Sequence, residues 1–402
     1  MLTSVRVPVE SESGHSRSGS ARPTLLCFSH LRWDFVFQRP QHLMSRFARE
    51  MTVVFWEEPC EIEPTETARL NVRHADDFPN VRIVTPHLPG GLEEPQREDA
   101  LKALLDEHVG NAASPLIAWY YTPMMLPFSR HLDASVVVYD CMDELSKFRF
   151  APEKLLDLEQ ELIDRADLVF TGGASLFEAK QSRHGNVHCF PSSVDRKHFA
   201  KARKELPQPA DQAELKHPRL GFYGVIDERF DIDMLRQIAE LRPDWSFAMV
   251  GPVVKISEDE LPRAANIHYL GGKTYEQLPA YLSGWDVALM PFAMNESTQF
   301  ISPTKTPEYL AGGKPVVSTP VRDVVRSYGH LQGVHIAHDA DGFVRCCDIA
   351  LEQSREGGDW LAEADLLLSA TSWDTVQARM SGLVFEVLGE RAGTPALLVA
   401  AE

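Results

Sequence analysis

The stretch Leu289–Thr319 (LMPFAMNESTQFISPTKTPEYLAGGKPVVST) constrains the fold more than any other part of the chain. It opens with the end of an apolar run, continues through a polar loop and a short segment around Pro307, and closes on a second apolar run at 315–318. Proline is tolerated in the first turn of a helix, and the glycine pair at 312–313 can end one. The order strand, polar loop, helix, strand is that of one repeat of a parallel α/β sheet.

The polar loop of this repeat is a candidate anion site. In open α/β sheets, ligands bind beyond the carboxyl ends of the strands, and a helix N-terminus offers free N–H groups there. Ser302, Thr304 and Lys305 surround the helix start and suit a diphosphate. The carboxylate of Glu308 could accept bonds from ribose hydroxyls. A helix cap with solvated charges would use the same residues, so the stretch alone leaves both interpretations open.

The segment PTKTPEYLAGGKPVVST, residues 303–319, resembles the donor-binding segment of GT-B glycosyltransferases. It is most similar to the retaining, nucleotide-sugar-dependent group 1 (family 4) enzymes of cell-wall, capsule and exopolysaccharide synthesis. The resemblance implies that Glu308 holds the ribose of the donor. That family usually has a second Glu eight positions earlier, where this chain has Phe300, and Glu296 is out of register. The usual sugar contact is therefore absent from the pattern.

Composition limits the class of protein. A chain of 402 residues with 44% hydrophobic residues is long enough for two ordinary domains. The net charge of −18 argues against a nucleic-acid partner, which would require a basic face. Six scattered cysteines without a C-x-x-C pair indicate reduced thiols, and no apolar run approaches the roughly 18–20 residues that span a bilayer. With no apolar region of a signal peptide, a cytoplasmic location is predicted, and peripheral contact with the inner face of a membrane stays open.

The first half of the chain also contains continuous apolar runs of the kind that form buried parallel strands. The run 136–139 is followed by Asp140 and Asp143, which are candidates for acid–base chemistry beyond a strand end, although helix capping would explain them too. The loop after the first strand carries Gln38 and Arg39 and has no G-x-G-x-x-G pattern. The resemblance implies that these two residues lie near the donor phosphates or the acceptor; a surface ion pair is the alternative for Arg39.

The second half begins with RLGFYG (219–224) and continues to NIHYLG (266–271), both similar to strands of the same family. The resemblance implies that Arg229, after the glycine turn, contacts the donor diphosphate; a helix-flanking arginine is the alternative. The predicted donor-binding residues are Glu308, Ser302, Pro303, Thr304, Gly251, Lys255, Gln38 and Arg39, and the predicted catalytic residues are Arg229, Lys305, Asp143 and Asp140.

The predicted fold is α/β, with two doubly wound, Rossmann-like domains that face a cleft, and a C-terminal helix that crosses back to the first domain. The predicted divisions are a disordered tail (1–22), an acceptor-binding domain (23–200), an exposed linker (201–217), a nucleotide-sugar-binding domain (218–370) and the returning helix (371–402).

The resemblance implies transfer of a sugar from a nucleoside diphosphate sugar, of UDP or GDP type, to a hydroxyl of a saccharide or lipid-linked acceptor. It also implies retention of configuration, a chemistry that needs no separate protein base because the leaving phosphate can take the acceptor proton. An inverting enzyme would use Asp140 or Asp143 as base. No paired-aspartate motif is placed to hold a metal, so neither a metal nor another cofactor is expected.

Three alternatives remain open at this point. The first is a sugar-nucleotide epimerase of the same fold. The second is a non-catalytic GT-B-like component of a polysaccharide assembly complex, which Phe300 favours. The third is a periplasmic sugar-binding protein, against which the absent export signal weighs.

Overall fold

The structure, a computed structural model, describes residues 22–109, 115–204 and 206–391. All but the last residue of the predicted tail lies outside the described residues. The strands are β1 (Thr24–Ser29), β2 (Thr52–Glu57), β3 (Cys60–Ile62), β4 (Arg69–Ala75), β5 (Phe78–Pro89), β6 (Leu116–Tyr120), β7 (Val136–Cys141), β8 (Leu168–Thr171), β9 (Val187–Cys189), β10 (Arg219–Tyr223), β11 (Ser246–Val250), β12 (Ile267–Gly271), β13 (Val287–Met290), β14 (Val316–Ser318) and β15 (Val334–Ile336). The helices are α1 (Arg39–Phe47), α2 (Glu94–Val109), α3 (Leu126–Ser129), α4 (Leu155–Arg165), α5 (Ala174–Lys180), α6 (Arg196–Phe199), α7 (Ala210–Ala213), α8 (Ile232–Leu241), α9 (Leu278–Ser283), α10 (Lys305–Ala311), α11 (Arg322–Tyr328), α12 (Ala340–Glu356), α13 (Trp360–Ser369) and α14 (Trp373–Arg391).

The first sheet follows the order β3-β5-β2-β1-β6-β7-β8-β9, with β4 paired antiparallel to β5. Its central strand β1 is parallel to both β2 and β6. Alternate residues of β1 enter different cores: Leu25 and Cys27 pack in one cluster, Leu26 and Phe28 in the other. Both faces of this sheet are therefore covered, which explains why its strands are continuously apolar.

The second sheet has the order β12-β11-β10-β13-β14-β15, and all of its strand pairs are parallel. Its first strand, β10, lies between β11 and β13. The chain therefore reverses direction across the sheet at β10, and a crevice opens beyond the carboxyl ends of such strands. Helix α10 starts in that crevice, directly after β13 and the polar loop.

The two sheets define two domains, here called the first and the second domain. The predicted domain boundaries stay a prediction. Residues 201–217, expected to form an exposed linker, contain a 3-10 turn and α7, and Gln212 is fully buried. Its amide donates to Tyr281 O and accepts from the indole of Trp285, so this segment is held against the second domain.

Helix α14 returns to the first domain, as predicted. Trp373, Met380 and Val384 are buried in the same core as strands β1 and β2. At its first turn, Asp374 pairs with Arg49, in the turn directly after α1, at 2.6 Å. The C-terminal end of the described chain is thus part of the first domain, and the segment that precedes it spans the domain junction.

The hairpin of β4 and β5 is not among the elements that the sequence indicated. In β4 most side chains are exposed, and β5 extends to Pro89. A strand with mostly exposed residues has no apolar run to reveal it, because its backbone pairing with β5 carries the structure. Its turn at 76–77 lies over the crevice between the domains.

Candidate active site

A cavity of about 580 Å³ lies between the two domains, at the carboxyl ends of their strands. The first domain lines it with residues 33–38 and with the β4–β5 turn at 76–78. The second domain lines it with the strand-end segments 223–225, 250–252 and 272–278, and with side chains at the start of α10. A cavity of this size, at this place in an α/β sheet, suits a small polar ligand.

Glu308 lies at the base of the cavity and is buried. Its Oε2 accepts a hydrogen bond of 2.9 Å from the hydroxyl of Tyr223, at the end of β10. Burial raises the pKa of Glu308 to about 7, and the charge of Lys305 and bonds from Tyr223 and Thr304 oppose this rise. The bond from Tyr223 thus holds the carboxylate in one position, where it lines the cavity. The role of Tyr223 as a partner of Glu308 was not predicted from the sequence, because 85 residues separate the two.

Lys305, at the first position of α10, supplies a half-buried cation to the same cavity. Burial, and secondly the charge of Arg229, lower the pKa of Lys305 to about 8. Within the described part of the chain, no carboxylate oxygen forms an ion pair with its Nζ. A poorly solvated ammonium without a close counter-ion would gain most from a bound anion.

Two glycines make room for this lysine. A Cβ on Gly224 would lie 2.2 Å from Lys305 Cε, and a Cβ on Gly251 would lie 1.8 Å from the carbonyl oxygen of Gly224. Both also have positive φ angles, 140° and 148°, which side chains disfavour. The strand ends of β10 and β11 therefore approach closely only because both residues are glycine. Gly251, a predicted donor-binding residue, lines the cavity.

Arg229 also lines the cavity and is held by a carboxylate that the sequence analysis missed. Its Nε donates to both oxygens of Asp227 at 3.0 and 3.1 Å, and its Nη2 donates to Oδ2 at 2.7 Å. Burial lowers the pKa of Arg229, but the bonds to Asp227 outweigh it, so the net shift is upward. Asp227 is buried, and it fixes the guanidinium while leaving Nη1 for another partner.

Other predicted residues lie around this centre. Thr304 and Gln38 line the cavity, whereas Ser302 and Pro303 do not. Ser302 lies at the domain junction, where a Cβ on Gly173 would be 2.6 Å from its Cβ. Asp143 is half-buried beyond β7; burial raises its pKa, and the charges of Arg229 and Lys305 lower it. The charge of Asp143 therefore acts on the two cations from the opposite domain.

Arg39 and Asp140 lie outside the cavity, so neither fits the role that was predicted for it. Both are buried, and they bind each other through Nη2 at 2.8 Å and Nε at 3.2 Å. Arg39 also donates to Phe190 O at 2.7 Å. Arg39 starts α1 and Asp140 belongs to β7, so the pair joins helix and sheet inside the first domain. With these bonds made, the pair is part of the core and does not reach a ligand in the cavity.

Phe300 stands where the family pattern has its second Glu, and its side chain lies away from the cavity. Its side chain packs against a core cluster of the first domain, across the domain junction from the rest of its loop. Glu296 is exposed and pairs with Lys147 of the first domain at 3.1 Å. Neither residue lines the cavity, so Glu296 does not take the place of the missing glutamate.

Among the described residues, no group of three or more His, Cys, Asp or Glu side chains is arranged to hold a metal ion. The described helices include none that is long and apolar enough to cross a membrane.

Comparison with known proteins agrees with this geometry. Residues 217–353 match the family described as glycosyl transferases group 1. The chain is 28% identical over 279 residues to a protein of Bacillus subtilis named putative teichuronic acid biosynthesis glycosyltransferase TuaH; the match covers 63% of this chain and 68% of that protein.

Solved structures show the same fold. A sucrose-phosphate synthase from Thermosynechococcus elongatus matches 92% of this chain and 100% of its own, with a TM-score of 0.68 and 15% identity. HepE from Anabaena, in complex with UDP and glucose, matches 90% of this chain and 99% of its own, with a TM-score of 0.63 and 13% identity.

The chain therefore has the GT-B fold, with two parallel-sheet domains that face a cleft. Its second domain is a glycosyl transferases group 1 domain, and the chain is a glycosyltransferase. The predicted fold and the predicted class of enzyme are confirmed.

Proposed function

We propose that the chain transfers a sugar from a nucleoside diphosphate sugar to a hydroxyl of a saccharide or lipid-linked acceptor, with retention of configuration. The observation that carries this proposal is the pair Lys305 and Glu308 in one cavity. A cation with no ion-pair partner among the described residues lies one helical turn from a carboxylate held by Tyr223. The cation suits the diphosphate, and the carboxylate suits the ribose hydroxyls.

The chemical problem of the reaction is the departure of a charged diphosphate. Lys305 and Arg229 would stabilise the charge that grows on the leaving oxygen, helped by the free backbone N–H groups at the start of α10. The leaving phosphate can then take the acceptor proton, so retention requires no separate base. Asp143 is the candidate base if the configuration inverts instead, since Asp140 is bound to Arg39.

The uridine type of donor is supported by the HepE complex with UDP and glucose. A role in cell-surface polysaccharide synthesis is supported by the teichuronic acid assignment of the Bacillus relative. The six cysteines are free thiols, which fits the cytoplasm. We further propose that peripheral contact with the inner face of the membrane brings lipid-linked acceptors to the cleft.

Replacing Glu308 with glutamine should weaken UDP binding by about 10- to 100-fold, because a hydrogen bond to a buried charged group contributes roughly 1.5–3 kcal/mol. Because the pKa of Glu308 is raised in the folded protein, ionisation of this residue destabilises the fold. The destabilisation is complete above about pH 7 and absent below about pH 4.5. The variant should therefore be no less stable than the wild type at about pH 8.

Calorimetric titration with UDP and thermal unfolding would check both expectations for Glu308→Gln. Glu352→Gln is a matched control, because Glu352 is exposed on α12 of the same domain. Unchanged UDP affinity in Glu308→Gln would remove this carboxylate from the donor site.

Transfer should persist in the presence of EDTA, because the proposal assigns neutralisation of the diphosphate to Lys305 and Arg229 and to no metal ion. The measurement is UDP release from UDP-sugars with and without acceptor, before and after chelation. If EDTA abolishes transfer and added Mg²⁺ or Mn²⁺ restores it, the proposed metal independence is wrong.

The same assay separates the remaining alternative enzyme. A sugar-nucleotide epimerase would give an isomeric nucleotide sugar without an acceptor and without a glycosylated product. A transferase requires the acceptor for product formation, so analysis of the products decides between the two.

A further inference from the structure

A short segment of the first domain, Lys147–Phe150, reaches across the cleft to the cationic end of the cavity. Lys147 Nζ pairs with Glu296 of the second domain at 3.1 Å, and the backbone N–H of Arg149 donates to Glu228 Oε1 at 3.4 Å. Phe148 lies between these two contacts. The ring is therefore held at the junction from both sides.

The ring of Phe148 contacts two cations of the second domain. The guanidinium carbon of Arg229 lies 5.3 Å from the ring centroid, and Lys255 Nζ lies 4.9 Å from it. Both distances are within the range of about 6 Å at which an aromatic face attracts a cation. The ring thus lies within attractive range of two like charges at once.

Neither cation is fixed from all sides by its own domain. Asp227 holds Arg229 through Nε and Nη2. The nearest carboxylate oxygen in an ion pair with Lys255 is Glu228 Oε1, at the long distance of 3.9 Å, and the Lys255 side chain is 42% exposed. Of the two cations, Lys255 therefore has the weaker hold from its own domain.

The backbone on both sides of this contact is constrained. In the described ranges, the non-glycine residues with positive φ are Phe150, at 64°, and Lys255, at 65°. Residues with a Cβ seldom adopt this conformation, and it persists where the surroundings impose it. One such residue lies two positions after Phe148, and the other carries a cation that the ring contacts. The two residues thus have uncommon backbone conformations on either side of the contact between the domains.

We propose that Phe148 is a positioning residue of the transfer reaction: its ring, supplied by the first domain, holds Arg229 where the leaving diphosphate gains charge, with Lys255, which does not line the cavity, against the same ring. This inference rests on the proposed function. Because ring and cations belong to different domains, the arrangement exists only when the cleft is closed. Phe148 would accordingly act on turnover more than on the binding of UDP, which the second domain provides through Lys305 and Glu308.

The test compares Phe148→Leu, which keeps apolar bulk without a π face, with Phe148→Tyr, which keeps the face. Phe150→Leu is the matched control, because Phe150 is 84% exposed and two residues away. Phe148→Leu should lower kcat by about tenfold while the Kd for UDP changes by about threefold at most. Phe148→Tyr and Phe150→Leu should stay within about threefold of the wild-type kcat.

Each outcome separates the two proposals. A wild-type protein that transfers no sugar from any UDP-sugar contradicts the proposed function. If the wild type is active and Phe148→Leu has the same kcat as Phe150→Leu, the proposed role of Phe148 is wrong. The role is also overturned if Phe148→Tyr loses as much turnover as Phe148→Leu, because simple packing would then explain both. Circular dichroism and thermal unfolding of each variant confirm that the fold is intact.

Discussion

Replacing Lys305 with alanine should lower kcat by about 10²–10³-fold, the loss that follows removal of one preorganised charge from a developing anion. The ammonium is half-buried at the start of α10, and the loss of solvent there lowers its pKa to about 8. A charge in such surroundings interacts strongly with the leaving diphosphate and requires no reorganisation during the reaction. The loss should be larger in kcat than in UDP affinity, because the charge on the leaving oxygen is greatest in the transition state.

Steady-state kinetics with saturating donor would measure this loss. Lys216→Ala is the control, because Lys216 is exposed in the same half of the chain and lies outside the cavity. If Lys305→Ala turns over at the rate of Lys216→Ala, the lysine is a solvated surface cation and the proposed mechanism is wrong.

Replacing Arg229 with alanine should also lower kcat by about 10²–10³-fold, for the same electrostatic reason. This variant has a second effect, because it leaves the buried carboxylate of Asp227 without its cation. An unpaired buried charge is strongly destabilising, so a loss of activity could come from the fold alone.

The double variant Asp227→Asn, Arg229→Ala removes both charges and so separates the two effects. If the guanidinium acts on the leaving group, kcat stays low in this variant while thermal stability recovers. Recovery of kcat together with stability would show that Arg229 serves only to neutralise Asp227.

Lys305 and Arg229 act on one diphosphate, so their losses should not multiply. The double variant Lys305→Ala, Arg229→Ala should retain more activity than the product of the two single losses predicts. Independent losses that multiply fully would indicate that the two cations serve different groups.

Much of the second domain could be predicted from the sequence, because its signals are local. The apolar run 287–290 is β13 as expected, and the helix that Pro307 and the glycine pair indicated is α10, Lys305–Ala311. Gly313 ends it with a φ of 76°, which glycine adopts without strain. Sequence pattern and structure agree here since strand, helix and cap each depend on neighbouring residues.

The contacts that define the candidate site could not be predicted, because they join distant segments. Asp140 is 101 residues from Arg39, and Phe148 comes from the opposite domain to Arg229. A carboxylate after an apolar run has the same appearance in sequence whether it faces a ligand or a buried arginine. Asp140 and Asp143 illustrate the difference: one is bonded in the core, and the other faces the cations of the cleft.

The central claim is that a nucleoside diphosphate binds at Lys305, and proton uptake on binding tests it most directly. At about pH 8.5 most of the Lys305 side chains are neutral in the free protein, because the pKa is about 8. A bound diphosphate favours the charged form and raises that pKa, so binding should take up a proton.

Calorimetric titration of UDP at that pH, in two buffers of different ionisation enthalpy, measures the number of protons taken up. The proposed site predicts uptake of roughly half a proton or more per UDP in the wild type, and a clear decrease in Lys305→Ala. Absence of UDP binding, or equal proton uptake in the wild type and in Lys305→Ala, would contradict it.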